Sequence, residues 1–254
     1  MTNLPSLAAD ERLDEVNEKI RIIQKKDGLT FGTDAYMLAA FMRPEKKARA
    51  AELGSGTGII SLLCAARARF AHIDAYEIQA EFSELGGRNI ALNGMDQLIT
   101  QYGTDIRTIP ADKNGTYDVV FSNPPYMKSG HGERCAHDIK TIARHEESGG
   151  IDDFCATAAR LLKYGGKFYC VFRPDRLVDL LAAMRAHKLE PKRMTFIQSD
   201  AYTAPSIVLV EAKLGASPSL KLTPPLIIYR DPPSVTPRIM TEQAEAVYAN
   251  CKLY

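Results

Sequence analysis

Residues 51–58 read Ala51-Glu52-Leu53-Gly54-Ser55-Gly56-Thr57-Gly58. The apolar run Ala48–Leu53 closes on this turn, and IISLLCAARAR, of helical composition, follows it. Strand, glycine turn and helix in that order form the opening unit of a parallel α/β sheet. Glycines let the backbone turn tightly and let a ligand lie against bare main chain. The N–H groups at the following helix start favour an anion. No Gly-Lys-Ser/Thr follows, so the turn is not a phosphate-binding P-loop, and its alternate glycines do not spell GxGxxG.

Working outward, short apolar runs alternate with helical ones. Ile73–Ile78, Leu98–Tyr102, Tyr117–Ser122, Lys167–Phe172, Lys192–Gln198 and Ser206–Lys213 read as strands, the final pair being the last two of the sheet. Gln79–Asn93 reads as a helix closed by Asn93-Gly94, and Pro174–His187 as another; a long helix stops at Gly165-Gly166. This alternation predicts βαβ crossovers and a mostly parallel, Rossmann-like sheet with helices on both faces. Towards the N-terminus, Lys19–Phe31 reads KIRIIQKKDGLTF, and the Asp27-Gly28 pair predicts a small hairpin. Thr33 is the expected cap of a helix over AYMLAAFM. Six of the 14 prolines fall between Pro218 and Pro237, which predicts an extended surface segment before a last helix from Thr241. The expected division is an N-terminal extension with the hairpin over 1–32 and one α/β domain over 33–254.

The chain has 254 residues, of which 45% are hydrophobic, enough for a large core without disulfides. Lys and Arg number 32 against 31 Asp and Glu, so any nucleic-acid surface must come from local clustering. No run approaches the roughly 18–20 apolar residues of a membrane-crossing helix, and the start lacks the apolar stretch of a signal peptide. Five cysteines at irregular spacing suit free thiols and a cytoplasmic setting.

In open α/β sheets ligands sit beyond the carboxyl ends of the strands. The second strand ends on Glu77, about twenty residues past the glycines, where such folds bind a ribose. A carboxylate accepts both hydrogen bonds of a diol, and Ile78 can pack against a base. Asp105, after the third strand, reads either as an acceptor for an adenine amino group or as an ordinary turn aspartate. The decisive loop is Asn123-Pro124-Pro125-Tyr126, directly after Asp118–Ser122. Adjacent prolines offer carbonyls and no N–H, and a residue before proline is held extended. Asn123 and the Pro124 carbonyl therefore form a compact acceptor set, suited to taking both hydrogens of a substrate –NH₂. Tyr126 adds a flat face on which a planar group can stack.

The glycine turn, the acid after the second strand and Asn-Pro-Pro-Tyr together resemble the class I S-adenosylmethionine-dependent methyltransferases that methylate amino groups. Phe31-Gly32-Thr33-Asp34-Ala35, Asn93-Gly94 and Ala143-Arg144-His145-Glu146 look like the bacterial family that N6-methylates adenine 37 of tRNA(Val). The resemblance implies a seven-stranded sheet with its last strand antiparallel, and S-adenosyl-L-methionine held by Gly54, Gly56, Glu77 and Asp105. Thr33, Glu52, Ile78, Ile106 and Asn123 complete the expected cofactor-binding set. It further implies that Asn123 and Pro124 grip the target nitrogen, with Tyr126 completing the catalytic group and tRNA or another structured RNA as the partner. Ribosomal RNA or DNA adenine, or the glutamine of a release factor, offers a similar planar –NH₂. The glutamine enzymes resemble longer chains with a helical domain ahead of the glycine turn, whereas about fifty residues precede it here.

His131, Cys135, His137 and His145 lie close together but match no structural zinc spacing, so no metal and no obligate protein partner are expected. Lys128, Arg134, Lys140 and Arg144 read equally as phosphate contacts and as solvated loop charge. Lys25, Lys26, Lys46, Lys47 and Arg49 are candidates for extending a basic track.

Overall fold

The computed structural model describes residues 6–27, 31–125 and 150–253. Its frame is one sheet with strand order β10-β8-β9-β7-β6-β3-β4-β5, in which β11 also pairs with β8. The strands of the α/β core are β3 (Arg49–Leu53), β4 (His72–Glu77), β5 (Ile99–Gly103), β6 (Tyr117–Ser122), β7 (Leu162–Phe172), β8 (Leu189–Gln198) and β9 (Ile207–Leu214). All neighbours pair in parallel except β9, which runs against both β7 and β8. These seven strands have the expected arrangement. The Pro-rich segment adds two more, β10 (Lys221–Leu222) and β11 (Leu226–Ile227), both parallel to β8. With two residues each, they are too short to carry an alternating pattern.

Side chains alternate across the sheet, so successive residues of one strand feed different cores. Ala50, Val119 and Phe121 join the core under α1 (Thr33–Phe41), α2 (Ile59–Ala65), α3 (Ala80–Leu92) and α6 (Glu242–Asn250). Ala51, Leu53 and Val120 join the core under α4 (Ile151–Leu161) and α5 (Leu177–Ala186). Burial on both faces explains the apolar run at 119–121 and the apolar residues on either side of Glu52 at 50–53. Among the described residues, no helix is long and apolar enough to cross a membrane.

Three local expectations are corrected. The hairpin pairs β1 (Glu11–Asn17) with β2 (Ile20–Lys25), so its turn lies at Glu18-Lys19 rather than at Asp27-Gly28. The charged ERLDEVN stretch is a strand because β2 and α3 give it a surface to lie on. α4 stops at Leu161, and Gly165, with φ at +79°, bends the strand that follows. Gly32, not Thr33, occupies the N-cap of α1.

α3 secures the hairpin. Asn89 accepts from the Ile23 N–H at 2.6 Å and donates to its carbonyl at 3.1 Å; one turn on, Asn93 does the same for Arg21. Two asparagine amides thus satisfy main-chain groups of β2 that no third strand reaches. Arg88 adds an ion pair to Glu11 at 2.7 Å and holds that carboxyl at about 2.

Candidate active site

Chain order reverses between β3 and β6, which are neighbours in the sheet although two helical crossovers separate them in sequence. Their register pairs Leu53 with Ser122, and the Ser122 hydroxyl donates to the Leu53 carbonyl at 2.7 Å. Gly54 and Asn123 therefore leave the sheet side by side, at the crevice where such sheets take ligands. On the other side Leu53 is in register with Tyr76, so Glu77 emerges beside Gly54.

The glycine turn is fixed by Gly54 and Ser55 N–H groups, which both donate to the Tyr76 carbonyl at 2.9 and 3.0 Å. Gly54, Gly56 and Gly58 have φ of +71°, +54° and +85°, a region costly for residues with a Cβ. They differ in what lies beside them. A Cβ on Gly54 would press on the Phe154 ring at 3.4 Å, and Gly58 abuts the Gly86 main chain of α3. A Cβ on Gly56 would meet nothing within 4 Å, so here the turn presents bare backbone to open space. Glu77 braces this turn. Its carboxylate accepts from the Gly56 N–H at 2.8 Å and the Gln79 N–H at 2.9 Å. Burial pushes its pKa up, opposed by those main-chain bonds. Ile78 is half-buried next to it.

The other expected cofactor residues lie in varied settings. Asp105 caps the short turn Ile106–Thr108 and accepts from the Arg107 guanidinium at 2.6 Å, which holds its carboxyl below the usual range. Ile106 is buried in the core beneath α4. Glu52 lies under the glycine turn, 1% exposed, and accepts from both the N–H and the hydroxyl of Ser61 on α2. Burial without a neighbouring cation pushes its carboxyl up to about 8. Thr33 sits in the first turn of α1, where its hydroxyl accepts from Tyr248 at 3.1 Å.

Asn123 is half-buried and Pro124 is buried. The Asn123 amide donates from Nδ2 to Oδ2 of Asp34 at 2.9 Å. Tyr126, residues 128–142 and the His131, Cys135, His137 and His145 group lie outside the described residues. Among those described, no group of three His, Cys, Asp or Glu is placed to hold a metal ion. Among the described residues the basic positions do not form one track: Lys46 and Lys47 precede β3 and Arg49 opens it, at the opposite end of the sheet from Asn123, and Lys25 is spent on Asp10 and Glu81.

Sequence reading missed three contacts that build the site: Asp34 with Asn123, Tyr248 with Thr33, and Asn89, whose Nδ2 also donates to the Thr57 carbonyl of the glycine turn at 3.0 Å. Only the last left a trace, as an asparagine pair four apart inside a helix.

Residues 25–185 match the family model described as the methyltransferase small domain. The chain belongs to that family. A tRNA1(Val) (adenine(37)-N6)-methyltransferase of Dyadobacter fermentans is 34% identical over 66% of this chain and 69% of its own. One of the same description from Parabacteroides distasonis is 28% identical over 80% of this chain and 84% of its own. A predicted O-methyltransferase from Agrobacterium tumefaciens shares the fold with a TM-score of 0.69 at 21% identity, over 87% of this chain and 98% of that one. The M. jannaschii TYW2 structure, in complex with AdoMet, aligns with a TM-score of 0.57 at 13% identity, over 83% of this chain and 89% of that one. This family member is a methyltransferase with S-adenosylmethionine as its cofactor. The residues fit that group. The open face of Gly56 leaves room for a ligand against the main chain, and the neighbouring Glu77 carboxylate retains lone pairs for a ribose diol.

Proposed function

We propose that this methyltransferase transfers a methyl group to the N6 amine of an adenine in RNA, and that its substrate is adenine 37 of tRNA(Val). The observation that carries the reading is the Leu53–Ser122 register, which sets the Asn123-Pro124 acceptors beside the glycine turn. Relatives described as tRNA1(Val) adenine-37 N6-methyltransferases, at 28% and 34% identity, support the choice of RNA.

Gly54, Gly56 and Glu77 would hold the cofactor, with Thr33, Ile78, Asp105 and Ile106 as the further residues assigned to it, and Glu52 supports the turn from beneath. When bound, S-adenosylmethionine supplies an electrophilic methyl group. An adenine exocyclic nitrogen shares its lone pair with the ring and is a weak nucleophile. Asn123 Oδ1 and the Pro124 carbonyl accept its two hydrogens, which favours the pyramidal nitrogen and aims the lone pair away from the ring. The methyl group that the cofactor would supply takes the place of one amine hydrogen, whose proton passes to water. The gain lies in positioning and fixed dipoles, with no histidine or carboxylate base required. A stacked base must be turned out of the RNA to reach these acceptors, and Tyr126 is assigned to stack on it.

Incubation with radiolabelled S-adenosylmethionine and, separately, bulk tRNA, ribosomal RNA, DNA and a Gly-Gly-Gln peptide tests the reading. Label is expected in tRNA as N6-methyladenosine at position 37 of tRNA(Val). Label confined to the peptide would overturn the RNA assignment; label in ribosomal RNA or DNA alone would overturn the tRNA assignment.

A further inference from the structure

An asparagine can serve as an acceptor for a substrate amine only if its oxygen, and not its –NH₂, faces that amine. The two ends of a carboxamide have nearly the same shape, and a flip would set donor against donor. The chain must therefore fix which way Asn123 points, and asparagine before proline has no means of doing so by itself.

We propose that Asp34 is the positioning residue that does this. This inference rests on the amine-methylating role of Asn123 proposed above. An ionised carboxylate accepts and cannot donate, so the contact with Asp34 at 2.9 Å admits only the –NH₂ end of Asn123. With Nδ2 turned to that carboxylate, the amide oxygen is the end that faces away from Asp34. Hydrogen bonds to a charged acceptor are roughly twice as strong as neutral ones, so the orientation is firmly held.

Three surrounding features serve the same contact. Asp34 lies in the first turn of α1, where the helix N-terminus favours its negative charge. Residue 32 is glycine although its φ of −107° is open to any side chain. A Cβ there would lie 2.8 Å from Asp34 Oδ1, so any side chain at position 32 would require that carboxylate to shift. The hydroxyl of Tyr248, from the C-terminal helix, holds Thr33 at 3.1 Å and so steadies the turn that carries Asp34. Asp34 thus acts through Asn123.

The test compares Asp34→Ala, Asp34→Asn, Gly32→Ala and Asn123→Ala with the parent enzyme. Single-turnover methyl transfer to tRNA and calorimetric binding of S-adenosylmethionine are measured for each, after melting curves confirm folding. Asp34→Ala is expected to lower the transfer rate about 100-fold while cofactor affinity stays within about twofold, because a misplaced group costs of that order. Asp34→Asn can turn its own carbonyl towards Asn123 and is expected to recover most of the rate, to within about tenfold of the parent. Gly32→Ala should resemble Asp34→Ala in sign. A rate within threefold of the parent in Asp34→Ala, with Asn123→Ala inactive, would overturn the inference and leave the proposed reaction standing. Equal losses of rate and cofactor affinity would also overturn it, since that is the mark of a disordered α1. Should Asp34→Ala not fold, Gly32→Ala decides alone: a parent-like rate in it contradicts the inference. Full activity of Asn123→Ala would instead remove the reading beneath it.

Discussion

Two acids near the glycine turn, 25 residues apart in sequence, have opposite lives. Glu77, 5% exposed, is bonded to main-chain N–H groups of Gly56 and Gln79, whereas Glu52, 1% exposed, lies below and accepts from Ser61. An isolated buried carboxylate is expensive, and Glu52 answers by keeping its proton: burial raises its pKa from 4.5 to about 8. The folded state therefore holds a proton that the unfolded chain releases above about pH 4.5. Stability from this residue is complete below that value and is lost as pH rises towards about 8, at up to about 1.4 kcal/mol per pH unit. Glu52→Gln cannot ionise and is expected to flatten this part of the curve. Denaturant unfolding of both proteins between pH 5 and 9 checks it, and parallel curves would count against a protonated Glu52.

At the scale of elements, the hairpin and the glycine turn share one fastening. Asn89 is fully buried and divides its hydrogen bonds between Ile23 of β2 and the Thr57 carbonyl. Removing it leaves buried main-chain groups unpaired, at about 1–3 kcal/mol each. Asn89→Ala should lower the melting temperature and weaken S-adenosylmethionine binding together, because the hairpin and the cofactor turn lose the same support. Unchanged cofactor affinity in a destabilised variant would show that the two are independent. The parallel strands were legible because burial on both faces leaves short, mainly apolar stretches, as at 50–53 and 117–122. The β1 strand was not, since Glu11, Asp14 and Glu15 conceal a pairing that depends on Arg88 and Asn89, 70 or more residues away. The loops after strands that carry the candidate residues could be read in advance; the contacts those residues make with α1, α3 and α6 could not, because tertiary contacts leave no local period.

Across the whole molecule, both ends of the chain converge on the crevice between β3 and β6. The N-terminal hairpin reaches it through Asn89, and the C-terminal helix through Tyr248. Arg69 strengthens the second route from within, donating to the Met42 and Cys251 carbonyls and so tying α1 to the C-terminal segment. The sheet itself supplies the juxtaposition, and these ties keep the surrounding turns in place. An amine clasped beside the glycine turn is the claim on which the functional account depends. Its most direct test is Asn123→Ala, assayed for methyl transfer to tRNA and, in parallel, for S-adenosylmethionine affinity. The account predicts transfer reduced by at least about 100–1,000-fold, the cost of removing a group that stabilises the reacting centre, with affinity within about twofold of the parent. Parent-like transfer by the folded variant would contradict it.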